Sequence, residues 1–196
     1  MMQRAKRRTR EIATTPALFL GRLGLTPNAL TVIGSVLTGA VGILVAQGWF
    51  VAAGVCLWLF SATDTLDGAL ARATNRVSTF GAFLDSVCDR YAEAAVFLGL
   101  IWYYQSASNS WGVVLAYLAL VGSLMVSYAR ARAEGVGLQA AEVGWFQRPE
   151  RIITLGIALL LTPLYPPILL AALALLTVLT TVTVLQRVVH VARSAR

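Results

Sequence analysis

Residues 23–63 read LGLTPNALTVIGSVLTGAVGILVAQGWFVAAGVCLWLFSAT, without one Asp, Glu, Lys or Arg. A membrane-spanning helix needs about 20 predominantly apolar residues, so this run is long enough for two passes, with Gln47-Gly48-Trp49 as the turn between them. Two further charge-free runs, 94–129 and 152–186, are broken in the same way at Gln105–Ser110 and at Thr162-Pro163-Leu164-Tyr165-Pro166-Pro167. The middle run makes a pair when its helices extend into the flanking charged residues. The pattern predicts an all-α integral membrane protein: six transmembrane helices in three hairpins, at roughly 27–47, 49–73, 80–104, 111–134, 149–163 and 167–190.

Composition agrees, since 58% of the residues are hydrophobic and only 13% charged, with a mean hydropathy of +0.72, more apolar than a soluble domain can bury. The net charge of +7 would suggest nucleic acid in a soluble chain. Here the basic residues gather at the two termini and the two connections between hairpins, the distribution that places those segments on the cytoplasmic side, so no nucleic-acid partner is expected. The apolar run after the basic N-terminus is too long for a signal-peptide core. Residues 1–22, with Arg4, Lys6, Arg7, Arg8 and Arg10 ahead of Ala17-Leu18-Phe19-Leu20, read as a basic juxtamembrane amphipathic helix on anionic lipid, or as a topology signal alone. Residues 23–196 form the membrane domain.

His190 and Lys6 are the only histidine and the only lysine. Their positions exclude a Ser-His-Asp triad, a Walker A loop and a Schiff-base lysine in the membrane part. Cys56 and Cys88 fall in apolar helices and read as packing residues rather than a disulfide or metal pair.

Five of the nine acids lie between 64 and 93. Asp64 and Asp67 (i,i+3) share a face near the end of the second helix, and Asp85 and Asp89 (i,i+4) share one near the start of the third. The short connection after Arg72 makes these two helices antiparallel neighbours, so the acidic faces can converge at the cytoplasmic boundary. Four carboxylates in one low-dielectric spot require cations. All-oxygen ligation selects hard ions such as Mg²⁺ or Mn²⁺, and two of them would balance four charges and form the clamp used in phosphoryl displacement. Gly68 and Ala71 leave room for a phosphate and nucleotide against the backbone, and Arg72 offers a fixed positive fork. A divalent-cation transport path is the alternative, although transport sites cluster at the midplane rather than at helix ends.

The sequence Asp64-x2-Asp67-Gly68-x2-Ala71-Arg72-x8-Gly81-x3-Asp85-x3-Asp89 resembles, at all eight fixed positions, the signature of the CDP-alcohol phosphotransferase family. The resemblance implies a six-helix membrane enzyme, usually a homodimer. Such an enzyme transfers the phosphatidyl group of CDP-diacylglycerol to an alcohol and releases CMP. It further implies Asp64, Asp67 and Asp85 as metal ligands, Asp89 as ligand and base, and Gly68 and Arg72 as contacts to the CDP part. Pro27-Asn28-Ala29-Leu30-Thr31 matches the family's turn at the first spanning helix, and Ser78 matches a hydroxyl expected on the diphosphate. Asn28 and Thr31 also suit a plain N-cap.

A second basic group lies on the side of the aspartates. Arg130 and Arg132 close the fourth helix, Arg148 and Arg151 share a face at the start of the fifth, and Arg187 lies near the end of the sixth. Positive-inside topology alone accounts for any one of them. Together, beside a metal site, they suggest an acceptor that brings its own phosphate. The segments Tyr128–Glu134 and Arg148–Arg151 resemble those of the bacterial phosphatidylinositol-phosphate synthases within the family, in which the position of Arg130 is often lysine. That resemblance implies inositol 1-phosphate as acceptor and Arg130, Arg151 and Arg187 as phosphate contacts, with Arg132 and Arg148 beside them. Glycerol 3-phosphate, the acceptor of a phosphatidylglycerophosphate synthase, is the alternative within the family. The expected location is the cell membrane, multi-pass, with both termini and the active site cytoplasmic.

Overall fold

Thr26 and Pro27 start the first helix for complementary reasons. Thr26 Oγ1 accepts a hydrogen bond from the amide of Ala29 at 3.2 Å, satisfying a donor that every helix start leaves over, and Pro27 occupies the first turn, where its missing N–H costs nothing. The capping role left open for Asn28 and Thr31 therefore falls to Thr26. The computed structural model describes residues 15–16, 18–19, 21–22, 24–138 and 143–194. From Pro27 onward, the helices among the described residues are α1 (Pro27–Ala46), α2 (Phe50–Ser61), α3 (Thr63–Ala73), α4 (Thr79–Ser106), α5 (Ser110–Gly135), α6 (Arg148–Leu161) and α7 (Pro167–Ser194). The basic residues Arg4, Lys6, Arg7, Arg8 and Arg10 of the expected juxtamembrane helix lie outside the described residues. Leu18 and Phe19 are helical, with exposed side chains.

The helix expected over 49–73 is interrupted at Ala62. Thr65 N bonds to Ala62 O at 3.0 Å, a three-residue step, and Thr63 Oγ1 donates to Phe60 O at 2.5 Å. This local tightening separates the apolar α2 from the acid-bearing α3. Among the described residues, four stretches are long and apolar enough to cross a membrane: Pro27–Ala46, Phe50–Ala73, Ser110–Gly135 and Pro167–Ser194. The other two of the six expected spans fall short for a reason tied to the site. The first half of α4 carries Asp85, Asp89, Arg90 and Glu93. α6, with 14 residues, rises only about 21 Å against a hydrocarbon core of about 30 Å, and it opens on Arg148 and Arg151.

The sequence reading paired the helix now divided into α2 and α3 with α4. In the fold α1 packs along α4 and also against α3, while α2 packs against α6 and α5 against α7. α3 and α4 do not pack along one another, although the Asp64 carboxylate of α3 comes close to those of Asp85 and Asp89 of α4. The correction traces to glycine: a Cβ on Gly99 of α4 would fall on the backbone of Gly42 of α1, and one on Gly42 would fall on the carbonyl of Ala95. The two backbones touch, so α1 takes the place beside α4. Val41, Val45, Val96, Leu100, Leu159, Leu173 and Leu176 fill the core that joins the hairpins. Cys56 and Cys88 are free thiols on α2 and α4.

Gly99→Ala should therefore lower stability by about 1–3 kcal/mol, the usual scale of overpacking. Gly135→Ala, whose added Cβ would meet nothing within 4 Å, should leave thermal denaturation in detergent unchanged. Equal melting curves for the two variants would contradict the backbone contact.

Candidate active site

Ser78 caps α4: its Oγ accepts from Gly81 N at 3.0 Å, and from this start Asp85 and Asp89 point the same way one turn apart. α3 presents Asp64 and Asp67 from the opposite side. One carboxylate oxygen from each of Asp64, Asp85 and Asp89 lies within 4.8 Å of the other two. Asp67 stands next to that trio and is held differently. Its Oδ2 accepts from Thr31 Oγ1 at 2.6 Å, and its Oδ1 accepts from the Gly68 amide. Thr31, counted in the sequence among the donor-substrate contacts, thus orients an acid of the motif from α1.

Two observations test whether these carboxylates suit a divalent cation. The buried Oδ1 of Asp85 has no hydrogen-bond partner, which is costly for a carboxylate oxygen unless a cation faces it. Arg148 Nη1 lies 2.6 Å from Asp64 Oδ2 and 2.6 Å from Asp89 Oδ2, so these oxygens already converge on positive charge. Oxygen-only donors from two helices, with an orphaned oxygen among them, fit a hard divalent ion.

On the α1–α3 side, a Cβ on Gly81 would lie 3.1 Å from Ser78 Oγ and 3.2 Å from Asn28 Oδ1, which brings Asn28 and Ser78 together. A Cβ on Gly68 would lie 3.2 Å from Arg72 Nη1, so the space opened by this glycine lies against the guanidinium of Arg72. Ala71 is half-buried. Leu30 is buried with Ala69 and Leu70 and ties α1 to α3. The amide of Ala29 is taken up by the Thr26 cap.

Beyond the aspartates opens a cavity of about 720 Å³, whose lining includes Asp85, Asp89, Arg130, Arg148, Arg151 and Arg187. Four of the five arginines singled out in the sequence therefore reach one space with two of the acids. Arg132 is exposed and lies outside this lining. Arg148 pairs with the aspartates themselves, and the other three are held by groups outside the acid cluster. Arg187, 2% exposed, donates through Nε to Val143 O at 2.8 Å and through Nη1 to Val126 O. Arg130 pairs with Glu134 at 2.9 Å. Arg151, 3% exposed, donates to both carboxylate oxygens of Glu93, at 3.0 and 3.3 Å.

The sequence reading gave no role to Glu93, Arg90 or Ser127. Arg90 lies 3.6 Å from Asp89 and 3.8 Å from Glu93, and its Nη1 donates to Ser127 Oγ of α5. The signal for Glu93 is present in the spacing: Asp85, Asp89 and Glu93 (i, i+4, i+8) continue one acidic stripe.

An acid cluster flanked by a guanidinium-lined cavity, at one end of a many-helix membrane chain, is the arrangement of a membrane transferase acting on phosphate esters. Residues 24–186 match the CDP-alcohol phosphatidyltransferase family. Phosphatidylinositol phosphate synthase of Mycobacteroides abscessus is 40% identical over 148 residues, covering 73% of this chain and 66% of that protein. The enzyme of that name from Mycobacterium tuberculosis is 38% identical over 181 residues, covering 89% of this chain and 83% of that protein. Archaetidylinositol phosphate synthase of Pyrococcus horikoshii is 39% identical over 173 residues, covering 86% and 85%. The crystal structure of the M. tuberculosis enzyme with CDP-DAG bound superposes with a TM-score of 0.87 at 35% identity, covering 92% of this chain and 94% of that one. The same enzyme in complex with manganese and citrate gives a TM-score of 0.86 at 35% identity, covering 91% and 88%. The chain belongs to the CDP-alcohol phosphatidyltransferase family and is a phospholipid-biosynthesis transferase of that type.

Proposed function

We propose that the chain transfers the phosphatidyl group of CDP-diacylglycerol to inositol 1-phosphate, giving phosphatidylinositol phosphate and CMP. The observation that carries this reading is the single cavity in which Asp85 and Asp89 face Arg130, Arg148, Arg151 and Arg187. A phosphate on the acceptor would take up the guanidinium donors that Glu93, Glu134 and the carbonyls of Val126 and Val143 leave over. The names of the M. tuberculosis and P. horikoshii relatives differ in the lipid and share the inositol phosphate.

In this reading Asp64, Asp67, Asp85 and Asp89 hold two divalent ions, Mg²⁺ or Mn²⁺. When bound, the ions neutralise the diphosphate and stabilise the departing CMP. Asn28, Arg72 and Ser78, with the small surfaces of Gly68 and Ala71, receive the CDP part. The acceptor phosphate rests on Arg130, Arg151 and Arg187, which places an inositol hydroxyl beside Asp89. Asp89 takes the hydroxyl proton as the oxygen attacks the phosphorus that bears the diacylglycerol. The bond to CMP breaks, and CMP leaves with the bonding pair. The active enzyme is a homodimer in the cell membrane, with this end of the bundle and both termini cytoplasmic.

The displacement is direct. Ser78 Oγ caps α4, and Ser86 Oγ donates to Ala82 O at 2.9 Å, so both hydroxyls are engaged in helix backbone bonds rather than set up as nucleophiles. A chiral phosphorus in the donor should therefore invert. A labelled lipid adduct trapped on the protein, or net retention, would defeat the single-step reading.

The function itself is tested with purified protein in detergent, Mn²⁺ and CDP-diacylglycerol. CMP should appear on addition of inositol 1-phosphate, with phosphatidylinositol phosphate as the lipid product. No CMP, with cation uptake into proteoliposomes, would favour the transport alternative.

A further inference from the structure

We infer that Glu93 is a positioning residue for acceptor recognition: its carboxylate fixes the guanidinium of Arg151 in the cavity wall and so sets the preference for a phosphorylated acceptor. The inference rests on the proposed acceptor. Glu93 stands one turn beyond Asp89 on α4, with a side chain only 13% exposed. It accepts from Arg151 Nε at 3.0 Å and Arg151 Nη2 at 3.3 Å. A guanidinium has five N–H donors in one plane, and this two-bond fork leaves three for another anion. The pair therefore anchors Arg151 without exhausting it, and Arg151 still lines the cavity.

Arg148, three residues earlier on α6, shows what a neighbouring guanidinium does here without a bidentate partner of its own. It lies across Asp64 and Asp89, at 2.6 Å from each. Arg151 instead pairs with Glu93 through two bonds, so its remaining donors stay in the cavity wall rather than on the aspartates. Arg90 closes the arrangement from the other side, 3.8 Å from Glu93 and 3.6 Å from Asp89.

A plain structural ion pair between α4 and α6 would have the same distances, so the test must separate the two roles. Glu93→Gln should raise the KM for inositol 1-phosphate about ten- to a hundredfold, the scale of one misplaced charged hydrogen bond. The kcat should change far less, and Mn²⁺-dependent CDP-diacylglycerol binding should stay as in the wild type. Glu93→Asp, which keeps the charge, should recover part of the loss. The double exchange Glu93→Arg with Arg151→Glu restores the pair with its ends reversed. It should regain thermal stability in detergent while the KM stays high. If Glu93→Gln does not fold, Glu93→Asp carries the test, with a KM for inositol 1-phosphate above that of the wild type and a kcat near it. An unchanged KM in Glu93→Gln, or a wild-type KM in the double exchange, would overturn the positioning role. If the wild type uses free inositol as well as inositol 1-phosphate, it is the proposed acceptor that fails, whatever Glu93 does.

Discussion

Asp89→Asn should stop CMP release and leave much of the metal-dependent binding of CDP-diacylglycerol in place. Asp89 is 6% exposed, belongs to the trio with Asp64 and Asp85, and lines the cavity that also holds the arginines. No other acid singled out in the sequence, apart from Asp85, lines both. Asparagine keeps the shape and one ligating oxygen but cannot accept the proton. A general base contributes about 10²–10⁴-fold, and the loss of turnover should fall in that range or beyond it. Asp64→Asn should act differently: it lies outside the cavity lining, so its loss should weaken metal-dependent binding of the donor lipid. Near-normal CMP release from Asp89→Asn would remove it as the base. A raised metal requirement alone would reduce its role to ligation.

Arg151→Ala should raise the KM for inositol 1-phosphate and leave metal-dependent CDP-diacylglycerol binding nearly intact. A hydrogen bond to a charged group is worth about 1.5–3 kcal/mol, so kcat/KM should fall about ten- to a hundredfold. Arg151→Lys should recover little, because an ammonium cannot reproduce the two-bond fork to Glu93 while also facing the cavity. Weaker donor binding with an unchanged acceptor KM would move Arg151 to the other substrate. Arg132→Ala is the internal comparison: its side chain is exposed and outside the cavity lining, so its acceptor KM should match the wild type.

The helix positions were legible because their signals are local. Charge-free length, central breaks and caps such as Ser78 all act within a few residues. The eight-position motif placed the acids on two helical faces for the same reason. Neighbour relations were not legible from loop length. The short connection after Arg72 pointed to side-by-side packing of the two acid-bearing helices, whereas backbone contact at Gly42 and Gly99 brings α1 against α4. The interruption at Ala62 goes with a threonine hydroxyl bonding back to Phe60 O, but Thr180 and Thr181 bond back in the same way inside the unbroken α7, so the residue type alone does not announce a break. Asp67 and Arg148 show the same limit from the side of charge. Spacing made four equivalent aspartates, but a hydroxyl reaching across from Thr31 sets Asp67 apart. A basic residue read as topology or phosphate contact lies between two acids. Glu93 was in view as the next position of the acidic stripe, yet its role depends on α6 bringing Arg151 to it.

The most direct test of the acceptor is CMP release by the purified protein in detergent, with Mn²⁺ and CDP-diacylglycerol, against inositol 1-phosphate, free inositol, glycerol 3-phosphate and serine. A cavity lined by Arg130, Arg148, Arg151 and Arg187 should favour inositol 1-phosphate over free inositol by at least about ten- to a hundredfold in kcat/KM, with glycerol 3-phosphate below it and serine inert. Preference for glycerol 3-phosphate would keep the phosphate pocket and change the acceptor. Equal use of free inositol and inositol 1-phosphate would contradict the phosphate pocket itself and leave the arginines as markers of topology.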